Sequence, residues 1–230
     1  MSSNDVVEVP PLNQMQQDII SIKQKLTEIT NINNKLKGRI YELAGENRRL
    51  YDSIYNIEVS ISGVDQYSRR SNIELCGVPE RIRQRDIEEY VLGVLASLDI
   101  HILSYDLVAV HRVGRLSRGK NRNVIVRFVN RKNAYLFLRK SKDLKKSTNT
   151  EYKSLYVIEN LCPTNKKIFN FLYKVKKLAK IKSVWTYNGS VFYKFLDSDD
   201  DFAERADHLD DVSYLYDEID LPEIEISNFN

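Results

Sequence analysis

An α+β fold, with a long N-terminal parallel coiled coil in front of two small mixed domains, is predicted by three observations. Between Leu12 and Val64, apolar residues recur at alternating steps of three and four. From Asn72 to Leu161, strand-like and helix-like periods follow one another in the order β-α-β-β-α-β. Beyond them, a lysine-lined helical pattern precedes a hairpin pattern centred on Asn188-Gly189.

The heptad register comes first. Position a falls on Leu12, Ile19, Leu26, Asn33, Ile40, Asn47, Ile54 and Ile61, and position d on Met15, Ile22, Ile29, Leu36, Leu43, Leu50, Ile57 and Val64. Fourteen of these sixteen residues are apolar, and both exceptions are Asn at a. A 3.5-residue repeat sustained this long implies a left-handed coiled coil, because only another helix buries so narrow a stripe. A helix folded back on its own domain is the competing reading, but one small domain cannot cover that length. The chain is therefore expected to be a homo-oligomer. Ile at both a and d favours trimers or tetramers over dimers, and Asn33 and Asn47 specify register and parallel alignment. Gly38 and Gly45 each cost about 1 kcal/mol in a helix, which softens the middle.

About 125 to 140 residues remain for globular structure, enough for one or two small domains. No run approaches the roughly 18 apolar residues of a membrane span, and MSSNDVVEVPPLN lacks a signal-peptide pattern. The expectation is no membrane insertion and a cytosolic or nuclear site. Cys76 and Cys162 stand in apolar sequence without a partner motif and read as reduced core residues. The net charge of +3 hides an asymmetry. From Asp197 onward thirteen acids face one arginine, a net of −12, so residues 1 to 196 carry +15 from 34 basic and 19 acidic residues. A basic body is the footprint of a polyanion, and an acidic tail competes with that ligand or keeps the chain soluble.

In order, residues 1 to 11 are expected to be disordered, and the coiled coil spans 12–66. Gly63 and the run from Asp65 to Ser71 let its helix end. Strand-like alternation covers Asn72 to Val78. Asp86 can cap a helix with Ile87, Tyr90, Val91, Val94, Leu95 and Leu98 on one face. Leu107 to Val113 and Val124 to Val129 read as strands, and Lys132 to Leu144 as a helix with Ala134, Tyr135 and Leu138 inward. Leu155 to Leu161 either forms a fourth strand or opens the next domain. This order is that of RNA recognition motifs, assigned to 67–150. A C-terminal nucleic-acid-binding domain is assigned to 151–196. Its helix, from Asn165 to about Lys182, sets Ile168, Phe171, Leu172, Val175, Leu178 and Ala179 opposite a lysine face. A type I′ turn at Asn188-Gly189 then places Trp185, Tyr187, Ser190 and Phe192 on one face of a hairpin. Residues 197–230 form the acidic tail, with a short helix starting near Ser198 and carrying Phe202, Ala206 and Leu209, and disorder beyond Leu221-Pro222.

Chemistry concentrates in basic residues. Arg112, Arg115, Arg118, Lys120 and Arg122 fall within eleven residues without an acid, in the connection where such a domain follows a phosphate backbone. Lys166, Lys167, Lys174 and Lys177 repeat this character on the C-terminal helix, with Trp185 and Tyr187 as candidate stacking residues beside it. Arg69 and Arg70 sit where the stalk meets the first domain. Glu74 stands where such domains usually place an aromatic, so the sheet is not expected to read bases in the usual way. No catalytic residue, metal ligand set or cofactor is expected. His101, His111 and His208 neighbour no metal or nucleophile pattern, and no glycine-rich phosphate loop occurs. The oligomer interface is assigned to Ile19, Ile22, Leu26, Ile29, Asn33, Leu36, Ile40, Leu43, Asn47, Leu50, Ile54 and Ile57.

Four segments carry a resemblance. They are Arg69-Arg70-Ser71-Asn72-Ile73 through Gly77-Val78-Pro79-Glu80, then His111-Arg112-Val113-Gly114, then Asn123 to Phe128, and finally Leu155 to Phe195 with Glu159-Asn160-Leu161 and Val184-Trp185-Thr186-Tyr187-Asn188-Gly189. Over about residues 12 to 196 the chain resembles the few-polyhedra protein family of baculoviruses and the related first open-reading-frame protein of LINE-type retrotransposons. The long acidic tail, and a coiled coil without an arginine-coded trimer signature, favour the viral relative. The resemblance implies a homotrimeric stalk whose heads clasp single-stranded RNA or DNA as a chaperone, with Arg69, Arg70, Arg112 and Arg122 contacting the strand. For the viral family it implies a role in occlusion-body formation and virion envelopment. The rival class is a non-enzymatic scaffold, in which the coiled coil and Val212-Ser213-Tyr214-Leu215-Tyr216 recruit proteins and the acidic tail meets a protein partner or the chain's own basic surface.

Overall fold

The computed structural model describes residues 12–196 and 202–217. The disorder expected for 1–11 and beyond Pro222, and the capping run Ser198-Asp199-Asp200-Asp201, lie outside these residues. The chain divides into two units, Met1–Asn56 and Ile57–Asn230.

Helix α1, Leu12–Ser68, makes up the described part of the first unit and continues into the second. Its apolar a and d side chains are between 43 % (Leu43) and 75 % (Leu12) exposed. Gly63 does not end the helix, which runs to Ser68, two residues past the boundary expected at 66. A single helical glycine costs only about 1 kcal/mol. The flanking residues offset it through tertiary bonds, with Ser62 Oγ donating to Thr164 Oγ1 at 2.9 Å and Gln66 Nε2 to the Asn160 carbonyl at 3.1 Å.

In the second unit the first sheet has strands β1 (Asn72–Cys76), β2 (Leu107–Arg112), β3 (Val124–Phe128) and β4 (Tyr156–Glu159), with helices α2 (Ile87–Ser97) after β1 and α3 (Arg131–Lys140) after β3. The order is β2-β3-β1-β4, and every pairing is antiparallel. The segment left open between two roles thus supplies the fourth strand, and the boundary drawn at 150 moves beyond Glu159. Ile73, Leu75, Val124, Val126 and Phe128 form the inner face, packed against Val91, Val94 and Leu95 of α2 and Ala134 and Phe137 of α3. Phe137, three residues after Ala134, takes the core place expected of Tyr135, which is exposed. Asn130 caps α3 by accepting from the Lys132 N–H at 2.9 Å.

The last domain holds helix α4 (Pro163–Lys177), strands β5 (Ile181–Tyr187), β6 (Ser190–Phe195) and β7 (Glu204–Ala206), and the short helix α5 (Tyr214–Asp217). Pro163 suits the first turn of α4, where its missing N–H costs nothing. Helix α4 ends at Lys177, earlier than expected, because Ala179 turns left-handed at φ 56° and reverses the chain into β5. The hairpin pairs Tyr187 with Ser190 and Trp185 with Phe192 as expected, with Asn188 at φ 52° and Gly189 at φ 81°.

The expected helix carrying Phe202, Ala206 and Leu209 is replaced by β7, which pairs antiparallel to β6. Ala206, Val212 and Leu215 are buried with Ile168, Leu172, Val175, Val191 and Tyr193. Residues 204 to 215 therefore belong to the domain core rather than to a solvated tail, and Val212 and Leu215 do not offer a recruiting surface. The acidic side chains have local partners. Asp211 accepts from the backbone N–H groups of Asp207 and His208, and Glu204 accepts from the Tyr193 hydroxyl at 2.5 Å. Substituting Leu215→Ala is expected to lower the unfolding free energy by about 2 to 5 kcal/mol. A urea titration checks this, since a solvated tail would leave the midpoint unchanged.

Candidate nucleic-acid interface

The end of α1, the β4–α4 linker, β1 and the hairpin turn meet at a polar junction. Asn160, 3 % exposed, is its centre. Its Nδ2 donates to Glu74 Oε1 at 2.9 Å, its Oδ1 accepts from Arg69 Nη1 at 3.3 Å, and its carbonyl accepts from Gln66 Nε2. Gln66 Oε1 accepts from the Cys162 N–H at 2.8 Å. Asn165 Nδ2 donates to the Gly189 carbonyl at 2.8 Å, and the Gly189 N–H donates to Glu159 Oε2 at 3.1 Å. A Cβ at Gly189 would overlap the Gln66 side chain, so the turn needs glycine for space as well as for its positive φ.

Period-two alternation puts Glu74, Asn123, Ile125, Arg127 and His111 on the face of the first sheet turned away from α2 and α3. That face is partly roofed by the linker. Glu74 is only 4 % exposed, accepting from Asn123 Nδ2 and Asn160 Nδ2, each at 2.9 Å, with Lys166 Nζ 4.0 Å away. Beside it opens a cleft of about 490 Å³ lined by Arg69, Val113, Asn123, Ile125, Pro163 and Lys166. The β2–β3 loop adjoins this cleft through Val113 and Gly114 and carries Arg115, Arg118 and Lys120, all exposed. None of these three side chains has a hydrogen-bond or ion-pair partner among the described residues, and the same holds for Arg127.

The other expected contacts separate into different roles. Arg112 shares the parity of Val110, not of His111, and its side chain is 4 % exposed. Its guanidinium donates to the carbonyls of Val78, Pro79, Ile82 and Arg122 and to Glu80, so it fastens the loops instead of facing a ligand. Arg122 is bound to Glu80 through Nη2 at 3.0 Å and its backbone N–H at 2.7 Å, and these bonds hold the Glu80 carboxyl below the usual carboxylate range. Arg69 is paired with Asp65 at 2.8 Å. On α4, Lys166 is exposed at the cleft, Lys167 and Lys174 are half-buried, and Lys177 lies 5.0 Å over the Tyr173 ring.

Trp185 stacks on Phe192 with ring centroids 5.9 Å apart, and Tyr187 is exposed on the same face. Because Val191 and Tyr193 face α4, that aromatic face is turned away from the basic helix it was expected to adjoin. Arg127 and Arg131 escaped notice in the sequence because each is a single cation in a regular element. The parity of Arg127 with Asn123 and Ile125 was the available signal.

Among the described residues, no helix is long and apolar enough to cross a membrane, and no group of three or more His, Cys, Asp or Glu side chains could hold a metal ion. No protein family and no curated protein matches the chain.

Replacing Asn160→Ala removes the side-chain partner of Glu74 Oε1 and of Arg69 Nη1 and is expected to cost about 1 to 3 kcal/mol. Asn160→Asp, which sets a second carboxylate against Glu74, is expected to cost more. Paired urea unfolding curves check the order.

Proposed function

We propose that this chain is an oligomeric, sequence-tolerant binder of single-stranded nucleic acid with chaperone-like activity, RNA being favoured by resemblance. The observation that carries the reading is the cleft on the outer sheet face, which Arg69 and Lys166 line and the unpaired Arg115, Arg118 and Lys120 adjoin. Such cations gain most from a polyanion, because they have no acid to give up and phosphate contacts release condensed counterions. The β-α-β-β-α-β order with β1 and β3 at the centre supports an RNA-recognition-like domain. Glu74 in the middle of that face, where an aromatic would stack a base, favours backbone over base contacts.

The exposed a and d stripe of α1 supports a parallel coiled coil, and Ile at both positions supports a trimer. Three tethered heads raise the effective concentration of strand sites, so avidity can exceed one head's affinity by roughly 10² to 10⁴. The sequence resemblance to the few-polyhedra family supports a role in viral assembly, in the host cytoplasm or nucleus. The reading uses no catalytic residue and no cofactor.

Anisotropy of a labelled 20-nucleotide strand across a salt series tests the binding. The full chain is expected to show a steep log–log slope, and replacing Arg115, Arg118 and Lys120 together with Ala is expected to reduce that slope by about 2, at roughly 0.7 per phosphate contact on a single strand. Sedimentation equilibrium is expected to give three times the chain mass. Weak, salt-insensitive binding by an intact trimer would instead make the chain a scaffold for protein partners.

A further inference from the structure

Arg69 and Arg70 are adjacent in sequence but line different spaces. Arg69 lines the sheet cleft, whereas Arg70 lines a second cleft of about 300 Å³ together with Tyr67, Arg131, Asn188, Arg205 and Asp207. This second cleft lies on the helical side of the first domain, since Arg131 opens α3, which packs on the inner sheet face.

Its electrostatics are one-sided, with three guanidinium groups against the single carboxylate of Asp207. Arg205 is the one paired with that acid, through Nε at 2.7 Å. Arg131 makes one hydrogen bond, to Asn188 Oδ1 at 2.9 Å, and pairs with no carboxylate among the described residues. Arg70 lies 3.7 Å over the Tyr67 ring and donates to the Tyr67 carbonyl at 2.7 Å, which orients its plane without neutralising it. Five N–H donors per guanidinium, fixed in a planar fork, match phosphate oxygens better than any neutral ligand. The three arginines come from the turn that follows α1, from α3 and from β7, so the site exists only where both domains are docked against the end of the helix.

We infer that Arg70, Arg131 and Arg205 form a second phosphate-binding site, which takes a phosphodiester of the strand after it leaves the sheet cleft. The two spaces are neighbours, because Arg69 lines both the sheet cleft and the small cavity shared by Arg70, Arg131 and Asn188. The inference rests on the single-strand reading above and adds to it where the backbone goes.

The test uses the full chain and a labelled 20-nucleotide oligouridylate in a salt series, with Arg131→Ala, Arg205→Ala and, as control, Lys132→Ala. Lys132 lies one residue along the same helix, loses the same charge and lines neither cleft. Arg131→Ala is expected to weaken binding about tenfold at low salt and to lower the slope by about 0.7, and Arg205→Ala to act in the same direction. Lys132→Ala is expected to stay close to the parent protein. Thermal melting of Arg131→Ala, an exposed position, is expected to match the parent. If the parent binds and Arg131→Ala binds equally well, or if Lys132→Ala falls as far, the second site is wrong while single-strand binding stands. If the parent chain does not bind the strand, both readings fall together.

Discussion

The hydrogen bonds that Gln66 and Asn160 make with each other and with their neighbours hold the second unit in one arrangement. Two carboxamides, each both donor and acceptor, join the last turns of α1 to the linker that leaves the first sheet, and through Asn165 and Glu159 to the Gly189 turn. Such a network has to be complete. A buried amide without partners costs more than the bond it replaces gains, and the low local dielectric that strengthens these bonds also penalises their absence. Both clefts exist because of this junction. One forms where the linker roofs the sheet, and the other where the hairpin turn approaches α3 and α1.

The same economy of partners sorts the arginines. Asp65 and Glu80 are each committed to a guanidinium that serves the fold, with Arg69 fixed at the end of α1 and Arg112 and Arg122 tying Val78 to Glu80 to the base of the basic loop. Two segments far apart in sequence, Gly77-Val78-Pro79-Glu80 and His111-Arg112-Val113-Gly114, thus close on each other as one clasp. The cations left over lie on the loop and around the clefts. Positive charge in this chain therefore divides into a structural set, already neutralised, and a set whose counter-charge must come from outside or from solvent ions.

Much of the fold was legible because it rests on local chemistry. The hairpin could be read since Asn188-Gly189 tolerates the left-handed region on both residues, and the inner sheet face since Val124, Val126 and Phe128 share a parity. Strand β7 could not, because three residues, Glu204-Arg205-Ala206, carry no period, and their pairing with Val191 to Tyr193 is long-range. The acid-rich context concealed that Ala206, Val212 and Leu215 complete a core. Arg112 was legible in principle, since it shares the parity of Val110 and so points inward. The junction left no hydrophobic pattern to find, because Gln66, Asn160 and Asn165 are polar residues in polar surroundings. The second cleft was still less visible, since its three arginines are 61 and 74 residues apart in succession along the chain.

Helix α1 carries two instructions at once over its last three turns. Ile57, Ile61 and Val64 continue the outward apolar stripe, while Ser62 and Gln66, between and beyond them, face the linker and α4. Because successive residues of a helix are about 100° apart, the angle between the two faces is fixed by residue count. The chain between Ile57 and Gln66 is consequently fixed in length. A single inserted residue would turn the carboxamide of Gln66 out of the junction and bring it toward the apolar seam. What holds this stretch constant is phase, a property that no one of its residues carries alone.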